Sequence, residues 1–198
     1  MTSPFLAPSR DPAAPRGRGA RSGETYLSIP GVMLVSTSAL SLVLDTDIYQ
    51  AFYVDTPIVV DQLVAEVSTG TTGNMRIGLY AADRSFQPIG APLADSGSID
   101  TSSTGVKTYT PSTPVYLPRG RYLTVVNASA NGALLTGLRG GLPGLVVDST
   151  LSTVPFFNSF RVSRTYAAFP TPGTAWDTEG STGNVPQPYA VFLRVSAP

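Results

Sequence analysis

Short runs of alternating apolar and other side chains, each stopped by Gly, Pro, Ser or Thr, constrain this chain more than any other feature. MRIGLYAAD (75–83) and RGRYLTVVNAS (119–129) are two of them. Alternation with a period of two places one set of side chains on each face of a strand. Nowhere does an i, i+3, i+4 pattern persist for three turns, and 19 glycines and 18 prolines punctuate the chain. A helical fold is excluded on that ground.

The faces can be assigned run by run. In IVVDQLVAEVSTGTTGNMRIGLY (58–80), Leu63, Ala65 and Val67 share one face, with Gln62 and Glu66 on the other. Beyond TGTTGN, Met75, Ile77 and Leu79 point to the core and Arg76 points out. The linking residues are those of tight turns, so the two runs read as a hairpin. A one-residue slip would exchange the faces, which fixes the register. SLVLDT (41–46), YQAFYVD (49–55), GVKTYTP (105–111), RYLTVVN (121–127), SFRVSRTY (159–166) and PYAVFLRVSA (188–197) read as further strands. GALLTGLRGGLPGLVVDST (132–150) reads as a loop or a weakly patterned strand pair. The expected fold is all-β, a jelly-roll-like antiparallel β-sandwich of about eight strands.

That domain spans residues 24–198. Residues 1–23 differ in kind, with Pro4, Pro8, Pro12 and Pro15 among four arginines and one acid. The segment therefore carries +3 and, with the whole chain at zero, the rest carries −3. Proline at this density favours extended conformations over helix or central strand. Such an arm does not fold alone in water. It reads as an arm laid across another subunit, anchored by Phe5 and Leu6 and steered by Arg10, Arg16, Arg18 and Arg21; the plain alternative is a linker or tag remnant.

Composition narrows the function. Charged residues make up 13% of the chain, against roughly 25% in ordinary globular domains. Hydrophobic residues make up 42%, enough for a sizeable core. A surface covered by neighbouring subunits reconciles the two figures. Lys107 is the one lysine and no basic face stands out, so nucleic acid is not an expected partner. The most apolar stretch, IPGVMLVSTSALSLVLDTDI (29–48), is broken by polar residues and two aspartates, and membrane insertion is not expected. The opening residues lack the continuous apolar region of a signal peptide.

Histidine and cysteine are both missing from the sequence. Ser-His-Asp and Cys-His arrangements are thereby excluded, along with disulfides and thiolate metal sites. The reading is a non-enzyme with no cofactor and no metal. Asp45, Asp47 and Asp55 gather acids that calcium accepts, although Asp at strand ends ordinarily caps turns. Asp55, Asp61, Asp177 and Glu179 are the acids from which a glycosidase pair could be drawn, but no spacing singles out two of them. The recognition surface is expected in YAAFPTPGTAWDTEGSTGN (166–184), where Tyr166, Phe169 and Trp176 lie near Asp177 and Glu179. Rings beside acids suit a sugar; the alternative is that these rings plug the end of the sandwich.

MRIGLYAAD, QPIGAPLADSGSIDTSSTGVKTYTP and LPRGRYLTVV, between residues 75 and 126, together carry a resemblance. They resemble a β-sandwich module of tail-fibre and other accessory virion proteins of tailed bacteriophages, over roughly residues 29–140. The shared motifs are turn and strand signals, with no active site to carry over. The resemblance implies a homo-oligomer, specifically a trimer, that depends on a tail, baseplate or major capsid protein. The expected function is a structural virion protein of the tail-fibre or tail-tip type, held by its arm and turned toward a host surface glycan. The alternatives are a capsid decoration protein and, from another class, a carbohydrate-binding module.

Overall fold

The computed structural model describes residues 25–27, 33–54, 56–141, 159–171 and 191–196. The arm at 1–23, with all six of its proposed anchor and steering residues, lies outside the described residues, as do Asp55, Trp176, Asp177 and Glu179.

Thirteen strands and no helix occur among the described residues: β1 (Thr25–Leu27), β2 (Met33–Ser41), β3 (Thr46–Val54), β4 (Ile58–Thr69), β5 (Asn74–Ala82), β6 (Pro88–Asp95), β7 (Ile99–Asp100), β8 (Gly105–Tyr109), β9 (Val115–Leu117), β10 (Gly120–Ala128), β11 (Leu134–Gly141), β12 (Ser159–Ser163) and β13 (Val191–Ser196). They form two antiparallel sheets. One has seven strands in the order β1-β13-β4-β11-β2, with β8 and β9 also pairing β4; the other has six, β12-β3-β10-β5-β6, with β7 pairing β5. The all-β sandwich is as expected. Its strands outnumber the eight anticipated because β1, β2, β6, β7 and β9 sit in stretches that read as turns or as undifferentiated apolar sequence, and β11 in the stretch left between loop and strand pair.

The hairpin expected at TGTTGN is not there: β4 belongs to one sheet and β5 to the other. The link arches between the layers, so the apolar faces of the two strands meet across the core instead of lying side by side. Gly70 lies so close to the Ser102 backbone that a Cβ there would come within 2.4 Å of its carbonyl oxygen. The Thr71 N–H donates to the Thr101 carbonyl at 2.9 Å, and the Thr101 N–H donates to Gly73 at 3.0 Å. SLVLDT is likewise no strand. β2 ends at Ser41, and the chain turns across to β3 through Asp45, whose φ is +52°. SFRVSRTY is strand only as far as Ser163.

The main core fills the space between the sheets. Leu63, Ala65 and Val67 of β4 meet Met75, Ile77 and Leu79 of β5, with Ile48, Phe52, Tyr122, Val126, Leu135 and Leu193 in the same cluster. The faces read from sequence hold for both strands. A second cluster lies on the opposite face of the six-stranded sheet and gathers Tyr49, Ala51, Tyr80, Leu123, Val125 and Phe169. β3 and β10 are therefore buried on both faces over most of their length. That explains why YQAFYV and YLTVV are nearly continuous apolar runs, a pattern that follows double-sided burial. Each fully buried aliphatic side chain contributes roughly 1.5–3 kcal/mol.

Candidate functional site

What covers that second cluster is a short strap, residues 164–171, which leaves β12 and runs over the outer face of the six-stranded sheet. Its first residue, Arg164, makes the deepest polar contact among the described residues. The guanidinium Nη2 donates to Asp47 Oδ1 at 2.8 Å, and its Nε closes the second arm of the pair on Oδ2. Asp47 is fully buried. Its remaining acceptor capacity goes to the Tyr49 hydroxyl, at 3.1 Å, and to the Asn127 amide. Bidentate arginine–carboxylate geometry is among the strongest polar contacts, and removing one partner of a buried pair costs about 3–5 kcal/mol.

A second acid fastens the strap farther along. Asp95, at the end of β6, accepts two bonds from Arg76 of β5, at 3.0 and 3.1 Å, and one from the Phe169 N–H at 3.0 Å. Burial alone would raise the Asp95 carboxyl; the bonds from Arg76, Gly97 and Phe169 outweigh that and hold it below the usual carboxylate range. Arg164 has the mirror-image balance. Burial works against its charge, but the bond and the charge of Asp47 prevail, so its pKa is raised.

Between the two acids the rings pack edge to face and side by side. Phe169 is 5% exposed, stands edge-on to Tyr80 with centroids 6.3 Å apart, and takes the Arg164 guanidinium 5.3 Å from its centroid. Beneath it lies Gly78, where a Cβ would fall 2.7 Å from two ring carbons. The Tyr80 hydroxyl donates to the Pro170 carbonyl at 2.7 Å. Burial first, then the neighbouring Asp47 charge, raises the Tyr49 phenol far above its ordinary value. Burial likewise raises Tyr80.

Of the residues expected at a recognition surface, Tyr166 and Phe169 are both held in this strap. Phe169 plugs the second cluster, so its faces are not open to a ligand. Tyr166 is half-buried; its hydroxyl donates to Met75 O at 3.3 Å and bonds Ser98 Oγ at 3.0 Å, and Arg76 stands 6.0 Å from its ring. Trp176 and Asp177 are outside the described residues. Asp45 and Asp47 do not converge on a common point as ligands do. Asp45 accepts the Tyr166 N–H at 2.8 Å, while Asp47 is saturated by Arg164, Tyr49 and Asn127. Asp61 is held by Arg194 at 2.8 and 2.9 Å. No cluster of three or more potential metal-ligating acids occurs among the described residues. No helix among them is long and apolar enough to cross a membrane.

The sequence reading missed Asn127, Arg164 and Asp95, and named Asp47 only as a calcium acid and Arg76 only as an outward-facing strand residue. Arg164 lies 117 residues from its acid, and no local spacing reports such a pair. Gly78 did carry a signal: glycine inside a strand often marks close approach by another group. The chemistry this arrangement performs is fastening. Its acids are paired, burial holds Tyr49 and Tyr80 protonated, and its rings are packed. Comparison with protein-family models and with curated proteins gives no match for this chain.

Proposed function

We propose that this chain is a non-enzymatic structural component of a tailed-bacteriophage virion, a tail-fibre or tail-tip protein held to the particle by residues 1–23 with its sandwich turned toward the host surface. The carrying observation is where charge is spent and where apolar surface is left. Arg76–Asp95, Arg164–Asp47 and Arg194–Asp61 each join parts of this chain's own fold. The edge strands β8 and β9, in contrast, leave Val106 65% and Tyr116 62% exposed. Apolar side chains presented at a sheet edge suit a body covered by neighbours. The residues that carry the phage resemblance supply β5, β6, β7, β8 and most of β10.

The test is deletion of residues 1–23 in the phage that encodes the chain. The truncated protein is expected to keep its β-type circular dichroism and to vanish from purified particles. Its recovery on particles in normal amount would remove the arm as the attachment device. A capsid decoration protein shares the same observation, and copy number separates the two. A few or a few dozen copies per particle fit the tail; several hundred fit the head.

A further inference from the structure

The arm's prolines specify what kind of strand it can become. Pro4, Pro8 and Pro12 are spaced four apart. In an extended chain, residues of one parity direct their N–H and C=O groups to the same edge, so these three prolines share one edge. The opposite edge presents the complete backbone groups of Phe5, Ala7, Ser9 and Asp11. Residues 4–12 can thus pair along one side only, as a strand added to the rim of a sheet.

β8 offers the matching rim. β4 pairs β13 and β11 along one edge and β9 and β8 along the other; Val60, for example, faces both Val195 and Val115. Among the described residues no further strand pairs the outer edge of β8 or β9. Val106 and Tyr116, one on each strand, are the most exposed large apolar residues described. The rim of the other sheet on this flank is less suited. β6 carries Pro88 and Pro92, and its ladder with β5 slips between Leu79 and Ala81. Lys107 in the middle of β8 and the strand's five-residue length guard against indiscriminate pairing.

We propose that residues 4–12 of one copy add as a strand to the outer edge of β8 in a second copy, joining copies head to tail. This rests on the proposed role of the arm and names the neighbour it docks on. The described chain begins at Thr25 in β1, beyond β13 and on the opposite side of β4 from β8. Residues 13–24 span up to about 40 Å when extended, enough to leave one copy's far rim and reach the near rim of the next. The +3 arm and −3 remainder of each copy complement one another. Because unlike surfaces meet, each copy both gives and receives an arm, and such contacts close into a ring when the rotation permits.

The absence of cysteine makes the test clean. Full-length Phe5→Cys and full-length Val106→Cys chains are mixed and oxidised, and disulfide-linked pairs are read on a non-reducing gel. The expected result is strong linkage, well above that from Phe5→Cys mixed with Ser85→Cys, an exposed site on the β5–β6 turn. Linkage no greater than this control overturns the proposal. So does a Phe5→Cys/Val106→Cys chain that links only within itself, which would mean fold-back. Full-length Val106→Arg, its new charge facing the arm's arginines, is expected to sediment as monomer with an unchanged melting temperature where the parent sediments as oligomer. A monomeric parent, or an oligomeric variant, also overturns it. Particle recovery is scored separately: chains that reach particles without cross-linking leave the virion reading intact and remove this one.

Discussion

Phe169 sits on Gly78 as on a seat, and the absence of a single carbon makes room for it. A Cβ at position 78 would lie 2.7 Å from two carbons of that ring and 2.8 Å from a methyl of Val125. Either the ring or the strand must then shift. Gly78→Ala is expected to lower stability by about 1–3 kcal/mol, the range for overpacking a filled core. The cycle with Phe169→Ala gives the mechanism: with the ring gone, the added methyl has space, and its cost should largely disappear. Denaturant melts of the four proteins measure this, and simple additivity of the two changes would show that the glycine is not there for the ring. At this scale the sequence was half legible. The glycine of RIGLY was read only as part of an alternating strand, whereas for Phe169 two readings stood open, a ring facing a sugar or a ring plugging the sandwich, and its burial favours the second.

Three elements meet at Asp95, and that convergence makes the strap sensitive to acid. The carboxylate bridges β5, through Arg76, and the strap, through the Phe169 N–H, from its own place at the end of β6. Its folded pKa lies below the ordinary value. A depressed carboxylate contributes stability that is present above its unfolded value of about 4 and is lost as pH falls through the folded value. Stability plotted from pH 5 to pH 2 should therefore fall more steeply for the parent than for Asp95→Asn, which has no proton to take up. Parallel curves would mean that the bridge carries no net weight. The elements themselves were legible where alternation was clean, as in β4 and β5. The arch between them was not, because Gly-Thr-rich links serve hairpins and sheet-to-sheet crossings alike, and only the contact of Gly70 with Ser102 and the bonds of Thr101 distinguish the two. The Asp47–Arg164 fastening was illegible for a different reason, since its partners are distant in sequence and each looks like an ordinary surface residue.

Taken whole, the molecule is a sandwich with an extra apolar layer, so its six-stranded sheet has no wet face over β3 and β10. Two phenols, Tyr49 and Tyr80, are fully buried in that outer layer, and burial raises both above their ordinary value of about 10. A phenol held protonated in the fold contributes stability that is whole below pH 10 and is withdrawn as pH rises beyond it, because the unfolded chain gives up the proton first. The chain has nine tyrosines. Tyr49 and Tyr80 should ionise only as the fold is lost. Absorbance at the phenolate band is then expected to rise in two stages, the second coinciding with loss of β-type circular dichroism. Tyr49→Phe and Tyr80→Phe should each shrink that second stage. A single smooth titration of all nine with the dichroism unchanged would mean that the strap opens to solvent without unfolding, and that the outer layer is a cover and not a second core.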